Sequence, residues 1–447
     1  MTLAISKDAV QRALSGHAAI GLLASALLYL ICLTGTVVVF YQEWQRIEQL
    51  DAPEMAAIAP DAVQRGVAAV LRAEKGKPAT THLYVHMPVD GLPRTTITTD
   101  HQAFHIDADG KIAVPEENAW SEFLLGAHYA LNIPGLVGMT IVGIFGVMIL
   151  ALALSGVVAH PRIFRDAFRF RARDNHGVGL ADWHNRLSVW TLPFSLAIAL
   201  TGSMIGLGVV GTYGLAAVFY ENDIEAAYAP IFGAEHGANA SPAPPANVAA
   251  PLAWLAAQRP QVRPTYVILH DPGTRGQHIQ IVAEHPRRLI YGETYEFGAD
   301  GTYHGKVGLS DGHLGQQLAA STYNLHFGNY GGLPVKIIYF LLGLALTIVV
   351  ATGTSIWLGK RERRGAHDQR LRSLWDGVLW GVPLALTLTF LARLIAGNAA
   401  PLTAIFWLLC ALILLIAAVR PQPRPKRLLQ WLFGASLLAS PVAVLLG

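Results

Sequence analysis

The 447-residue sequence predicts a mostly α-helical polytopic membrane protein. It is read as a helix–(α+β module)–helix unit used twice to form a four-helix core, followed by three further helices. Three observations predict this. Charged residues make up 14% and hydrophobic residues 53% of the chain, whereas a soluble domain carries about 25% charged residues. Seven runs without a charge, or with one, are long enough to cross a hydrocarbon core, which takes about 18 residues or more. The two halves of the chain also share one order of apolar runs, histidines and small Ser/Thr-Gly steps. The same composition excludes other classes. A formal net charge of +3 is too small to suggest a nucleic-acid partner. Cys32 and Cys410 both lie in apolar runs, which argues against a disulfide framework or a Cys-ligated metal. Seventeen histidines are left to explain.

The runs cover residues 18–41, 133–159, 187–220, 337–359, 377–396, 402–419 and 428–446. The first is too long for a cleaved leader and is followed by no small-residue cleavage site, so it reads as a signal anchor. The third exceeds one crossing and must tilt or project from the bilayer. Arg393 interrupts the fifth near one end, where its side chain is expected to snorkel to the interface. Basic loops set the direction. Arg162, Arg165, Arg169, Arg171 and Arg173 follow the second run. Lys360, Arg361, Arg363, Arg364, Arg370 and Arg372 follow the fourth, and Arg420, Arg424, Lys426 and Arg427 separate the last two. The positive-inside rule puts these loops in the cytoplasm, together with the N-terminus bearing Lys7 and Arg12. The long segments 42–132 and 221–334 then face outward. They hold 13 Lys and Arg against 23 Asp and Glu, so the small net charge conceals a polarity across the membrane.

The segments in order are 1–41 with the first span, 42–132 as an outer module, and 133–220 with spans two and three. Residues 221–334 form a second outer module, 335–373 the fourth span and its loop, and 374–447 the last three spans. Each outer module is read as small and α+β. The first has a helical stretch at 61–74, strands at 81–88 and 95–100, and a hairpin at Asp109-Gly110. The second has a helical stretch at 251–258, strands at 265–270 and 278–283, and a hairpin at Asp300-Gly301. Residues 233–250, rich in Ala, Pro and Asn, read as a linker.

The repeat gives the histidines meaning. His17 precedes Thr34-Gly35, and His184 precedes Thr201-Gly202, with the same His-to-Thr spacing. His128 precedes Ser155-Gly156, and His326 precedes Thr352-Gly353, at spacings that differ by one residue. The two copies run in the same direction, so His17 and His184 are equivalent at the inner face and His128 and His326 at the outer. A lone histidine at a membrane interface is usually an ordinary interfacial residue. Two equivalent imidazoles about one axis can ligate a metal from opposite sides, as haem iron allows. His17, His184, His128 and His326 are therefore the candidate cofactor-binding residues, each pair ligating one haem iron. His160, whose repeat counterpart is Trp357, is an alternative ligand at the inner face. His176 and His367 fall in basic loops. His82, His86, His101, His105, His270, His278, His285 and His304 fall in the outer modules and read mostly as surface residues. Arg12 and Arg186 flank the inner pair and could hold propionates. Trp120, Glu122 and Tyr129, with Tyr323, Asn324 and Asn329, are candidates to line an outer site, although an aromatic belt explains the Trp and Tyr residues equally well.

Several of these stretches resemble the PepSY-associated transmembrane family, which includes iron-regulated inner-membrane proteins and ferric-siderophore reductases. They are Ser15-Gly16-His17, Asp182-Trp183-His184-Asn185-Arg186, Leu325-His326-Phe327-Gly328 followed by Gly331-Gly332, and Ala351-Thr352-Gly353. With the two outer modules they span about residues 10–365. The resemblance implies a four-helix core with two b-type haems, PepSY-like periplasmic modules, and an oxidoreductase of the bacterial inner membrane that reduces iron held in a ferric siderophore or other ferric chelate. The last three helices depart from the four-helix pattern. No Gly-x-Gly-x-x-Gly opens a helix after a strand, no P-loop is present, and the cytoplasmic loops are too short for a flavin or nicotinamide domain. Quinol or a separate cytoplasmic reductase is therefore the expected donor. The rival reading is a non-redox, membrane-anchored PepSY binding or regulatory protein. A transporter ranks last, because the C-terminal helices lack midplane acidic or basic residues.

Overall fold

The computed structural model describes residues 6–160, 163–166, 178–232, 239–287, 289–421 and 425–446. Along the chain, α1 (Lys7–Val38), α2 (Tyr41–Glu48) and α3 (Pro60–Ala73) precede four strands, β1 (His82–His86), β2 (Thr95–Thr98), β3 (Ala103–Ile106) and β4 (Ile112–Pro115). Seven helices follow: α4 (Ala119–Ala130), α5 (Leu136–Ala159), α6 (Ile163–Asp166), α7 (Val178–Trp190), α8 (Leu192–Phe219), α9 (Ile224–Phe232) and α10 (Ala249–Gln258). Four more strands are β5 (Arg263–His270), β6 (His278–Glu284), β7 (Glu293–Gly298) and β8 (Tyr303–Lys306). The chain ends with α11 (Leu314–Phe327), α12 (Gly332–Arg363), α13 (Gln369–Ala396), α14 (Leu402–Val419) and α15 (Pro425–Leu446). It divides into two compact units, one of residues 1–41, 118–208 and 336–447, the other of 42–117 and 209–335.

Seven helices are long and apolar enough to cross a membrane: α1, α5, α8, α12, α13, α14 and α15. The chain is a multi-pass membrane protein, and each apolar run of the sequence falls wholly or mostly on one of these helices. Polar residues lengthen some of them. Helix α1 starts at Lys7 because the Ser6 side chain accepts the Ala9 N–H at 3.2 Å, and Asp8 suits the positive end of the helix dipole. The third run does not form one tilted span. It breaks at Thr191, between α7 and α8, where Pro193 has no N–H to continue the helical ladder. His128 and His326 lie on short helices of their own. Helix α4 ends in left-handed Leu131 (φ 54°), and α11 ends in left-handed Gly328 (φ 69°).

In the first unit, small residues bring helices together. A Cβ on Gly206 of α8 would come 2.9 Å from the Gly143 Cα of α5, and one on Gly343 of α12 would come 2.8 Å from the Thr36 hydroxyl of α1. Close backbone approach of this kind is how helices associate in lipid, where hydrophobicity gives little drive. The C-terminal helix α13 joins this packing. Tyr29 donates to the Leu379 carbonyl at 2.8 Å, Trp375 Nε1 donates to Ser355 Oγ at 3.0 Å, and Trp120 Nε1 donates to Thr389 Oγ1 at 3.3 Å. Arg393 does not snorkel. It is 5% exposed, buried by the packing around the end of α13.

The second unit holds one eight-stranded antiparallel sheet in the order β4-β3-β2-β1-β5-β6-β7-β8. The two outer segments therefore share a sheet. They join where β1 pairs with β5, from His82 opposite His270 to His86 opposite Tyr266. Period-two alternation sends Leu83, Val85, Val267 and Leu269 to one face, all fully buried, in a core with Ile97, Ile279, Phe297 and the inner sides of α3 and α10. Gly66 lets α3 lie close, since a Cβ there would meet Ile106 at 2.7 Å. Gly110 (φ 80°) and Gly301 (φ 89°) make the turns before β4 and β8. Of the linker at 233–250, residues 233–238 lie outside the described residues. Not all the histidines of this unit are on the surface. His105 is 3% and His278 7% exposed, held by hydrogen bonds across the sheet and its loops.

Candidate functional site

Three of the four marked histidines share one geometry. His17 of α1 places Nδ1 3.0 Å from the Leu152 carbonyl and 3.1 Å from the Ser155 hydroxyl, both on α5. His184 of α7 places Nδ1 3.0 Å from the Val349 carbonyl and 3.0 Å from the Thr352 hydroxyl, both on α12. His128 of α4 places Nδ1 3.0 Å from the Ile31 carbonyl of α1. Each accepting carbonyl belongs to the residue four before a glycine: Gly156, Gly353 and Gly35. The ring then lies over that glycine. A Cβ there would come 3.4 Å from His17, 3.5 Å from His184 and 2.6 Å from His128.

This arrangement fixes the chemistry of the ring. A carbonyl can only accept, so Nδ1 carries the proton and Nε2 keeps its lone pair. A backbone carbonyl accepting from the far nitrogen is a usual support of a metal-ligating imidazole. The Ser/Thr-Gly steps thus have two parts. Glycine clears the space for the ring. The preceding Ser155 or Thr352 also approaches Nδ1, while its hydroxyl satisfies its own helix, as Thr352 does by donating to the Ile348 carbonyl.

His17 and His184 are brought together. Their ring centres are 6.4 Å apart and their planes 87° from parallel. A metal–imidazole bond is about 2 Å and nitrogen to ring centre about 1 Å more, so one metal held between two imidazoles would set their centres about 6 Å apart. The pair therefore fits a bis-imidazole haem iron in spacing and in tautomer. Among the described residues, no group of three or more His, Cys, Asp or Glu is placed to hold a bare metal ion. The donor set suits a metal that brings its own equatorial ligands. His160 caps the end of α5 and is close enough to act electrostatically on both His17 and His184.

His128 belongs to the first unit and His326 to the second. Within its unit, His326 packs edge-on against Phe327 at 5.6 Å, and Phe327 stacks on Tyr323 at 6.2 Å. Thr201, before Gly202, donates to the Ala197 carbonyl at 2.7 Å. The flanking candidates divide. Arg186 is 2% exposed and pairs with Asp182 at 2.9 Å, whereas Arg12 pairs with Asp8 on an exposed helix face. Trp120 packs on Phe390 of α13 at 4.9 Å. Glu122 accepts from the Tyr41 hydroxyl, Tyr129 is exposed, Asn324 is buried in α11 and Asn329 is exposed. His176 lies outside the described residues. Sequence reasoning missed the carbonyl acceptors Ile31, Leu152 and Val349, because a backbone group has no residue type. The glycine four positions later is the one signal that marks them.

Among known proteins, the chain is similar to an uncharacterized protein of Pseudomonas aeruginosa, with 28% identity over 339 residues that cover 71% of this chain and 79% of the relative. The family model described as the PepSY-associated TM region matches residues 14–360, a stretch that contains all four marked histidines and both outer segments. The chain belongs to the PepSY-associated TM region family.

Proposed function

We propose that this protein is a two-haem electron-transfer protein of a bacterial inner membrane, which reduces iron in a periplasmic ferric chelate of the ferric-siderophore type. The observation that carries the reading is the His17–His184 pair, with ring centres at 6.4 Å and each Nδ1 committed to a carbonyl. His17 and His184 would hold a b-type haem, which would supply reversible one-electron chemistry there. The protein's part is positional. Leu152 and Val349 hold the two rings in the tautomer that presents Nε2, and Gly156 and Gly353 leave room for them. For the second haem, assigned to His128 and His326, the support is the duplicated unit in the sequence. The basic loops after the second and fourth spans support an inner-face donor, quinol or a separate reductase. The acidic segments support an outer-face acceptor.

The test is spectroscopic. Detergent-solubilised protein is expected to show a Soret band and a split α-band on dithionite reduction, with about two haems per chain. His184→Ala is expected to lose about one haem. Absence of a Soret band removes the electron-transfer reading and leaves the non-redox binding protein; unchanged haem in His184→Ala removes that ligand.

A further inference from the structure

The second unit carries an apolar face that its own core does not use. Leu314 and Leu318 of α11 are 72% and 57% exposed. They are four residues apart and so share one side of the helix, which Ser321 continues. Leu289, also exposed, lies beside them in the loop between β6 and β7. That loop is seated on α11. The Tyr291 N–H donates to the Ala320 carbonyl at 3.0 Å, and Ile290 shares a small core with Ala320 and Leu309. Together they line a groove of about 430 Å³. Among the described residues that line it, Arg287 is the only charged one. Its Nη1 donates to the Gln317 side chain at 2.8 Å and to the Ser310 carbonyl at 3.2 Å, which holds the guanidinium at the rim. Ser321 donates to the Gln317 carbonyl at 2.7 Å, so its hydroxyl needs no water.

The chain itself says what lies against this face. Helices α9 and α11 pack on each other, with Gln316 Nε2 donating to the Pro230 carbonyl at 2.8 Å. Each is tied to a membrane-spanning helix, α8 to α9 by residues 220–223 and α11 to α12 by residues 328–331. A link of that length reaches at most about 14 Å. The two spans stay apolar and exposed up to these links. Val218 and Phe219 end α8, and Leu333 is the second residue of α12; all three are exposed, Phe219 by 72%. Apolar helix ends of this kind sit in lipid rather than in water, so the bilayer reaches both links. We propose that α11 is a membrane-surface helix, with Leu289, Leu314 and Leu318 in the acyl boundary of the leaflet where α8 ends and α12 begins, and Arg287 on a phospholipid phosphate. Burial of an apolar side together with attraction of a cation to the headgroups holds such a helix in the interface. The planar guanidinium matches two phosphate oxygens at once, as an ammonium does not. Helix α11 is about 21 Å long, so lying flat it keeps Leu314 and His326, near its two ends, at one depth.

The proposal does not depend on any haem. Full-length protein is placed in nanodiscs of phosphatidylethanolamine and phosphatidylglycerol, with a nitroxide on one introduced cysteine. The test sites are Leu314→Cys and Leu318→Cys. The references are Leu408→Cys on an exposed side of α14 and Ala108→Cys in the β3–β4 turn. Native Cys32 and Cys410 are buried and stay unlabelled. Relaxation by oxygen, which concentrates in lipid, is compared with relaxation by a nickel chelate, which stays in water. The labels at 314 and 318 should follow the one at 408, with oxygen dominant, and the label at 108 should show nickel dominant. Adding Arg287→Gln should raise nickel access at 318 several-fold in nanodiscs and leave it unchanged in maltoside micelles, which hold no phosphate. A merely structural arginine would change both. Labels at 314 and 318 that follow the one at 108 would overturn the proposal by showing water in the groove. Labels shielded from both reagents would overturn it by showing a protein partner or a second copy there. An Arg287→Gln variant with no effect in nanodiscs, or an equal effect in both media, would overturn the phosphate contact.

Discussion

At the scale of single residues, the repeated device is a histidine laid over a glycine, with Nδ1 tied to the carbonyl one turn earlier on the neighbouring helix. The three observed cases differ in tightness, and the difference predicts unequal tolerance. A Cβ at Gly353 would sit 3.5 Å from His184, an ordinary van der Waals distance. A Cβ at Gly35 would sit 2.6 Å from the Cε1 of His128 and 2.9 Å from its Nδ1. A ring cannot yield as the tip of a flexible side chain can, so His128 must move and lose its bond to the Ile31 carbonyl. Gly35→Ala should therefore lower bound haem by about one per chain, while Gly353→Ala should keep the wild-type ratio. Haem-to-protein ratios of the two variants check this, and equal losses would count against the geometry. The residue identities were legible in the sequence, because the glycines and histidines recur in register. That His17 lies over Gly156 of α5 rather than a glycine of its own helix was not, because spacing along one chain says nothing of which neighbouring helix supplies the acceptor.

At the scale of elements, the sheet joint has its own chemistry. His82 opposes His270, with ring centres at 4.9 Å, and His270 stacks on His278 at 4.2 Å. Burial lowers the His86, His105 and His270 rings from the ordinary 6.5 to about 4; the nearby charge of Arg94 adds to the effect at His105, and that of His278 at His270. A folded-state pKa below the unfolded value means that the unfolded chain binds more protons between the two. Their contribution to stability is then fully present above about pH 6.5 and is lost as pH falls towards 4. Amide exchange of β1 and β5, corrected for intrinsic rate, should report easier opening at pH 5 than at pH 7; a flat profile would exclude it. The central strands were legible from alternation, since Leu83 and Val85, like Val267 and Leu269, recur at every second position and are buried. Their union into one sheet was not, because the alternation of β1 and β5 fixes which face is buried and leaves the partner strand open. The separate helices α4 and α11 were hidden for a related reason. They end at left-handed Leu131 and Gly328, and only the glycine is a visible stop signal.

At the scale of the whole chain, the family match ends at residue 360, before the last three helices begin. Their composition suggests an appendage of lipid-facing helices, and α14 and α15 do present many exposed leucines. Helix α13 is different. Tyr29 of α1, Trp120 of α4 and Ser355 of α12 each share a hydrogen bond with it, so it closes against three elements of the membrane unit that lie within the family's span. Apolar contact alone would contribute little here, because lipid tails replace it at almost no cost. Side-chain hydrogen bonds between membrane helices contribute about 0.6 kcal/mol each on average and up to about 1.7. Three of them come to about 2 kcal/mol, enough to shift a melting transition by about 5 °C in a unit of this size. A chain ending at Gly365 should therefore still insert and keep the His17–His184 pair, yet melt about 5 °C or more below the full chain in the same detergent. The triple variant Tyr29→Phe, Trp120→Phe, Ser355→Ala should reproduce most of that loss, because it removes the same bonds and keeps α13. If both proteins melt with the wild type, α13 is a lipid-facing appendage and its polar contacts carry no stability. If only the truncation is destabilised, the contribution of α13 lies in its shape against the core rather than in those three bonds.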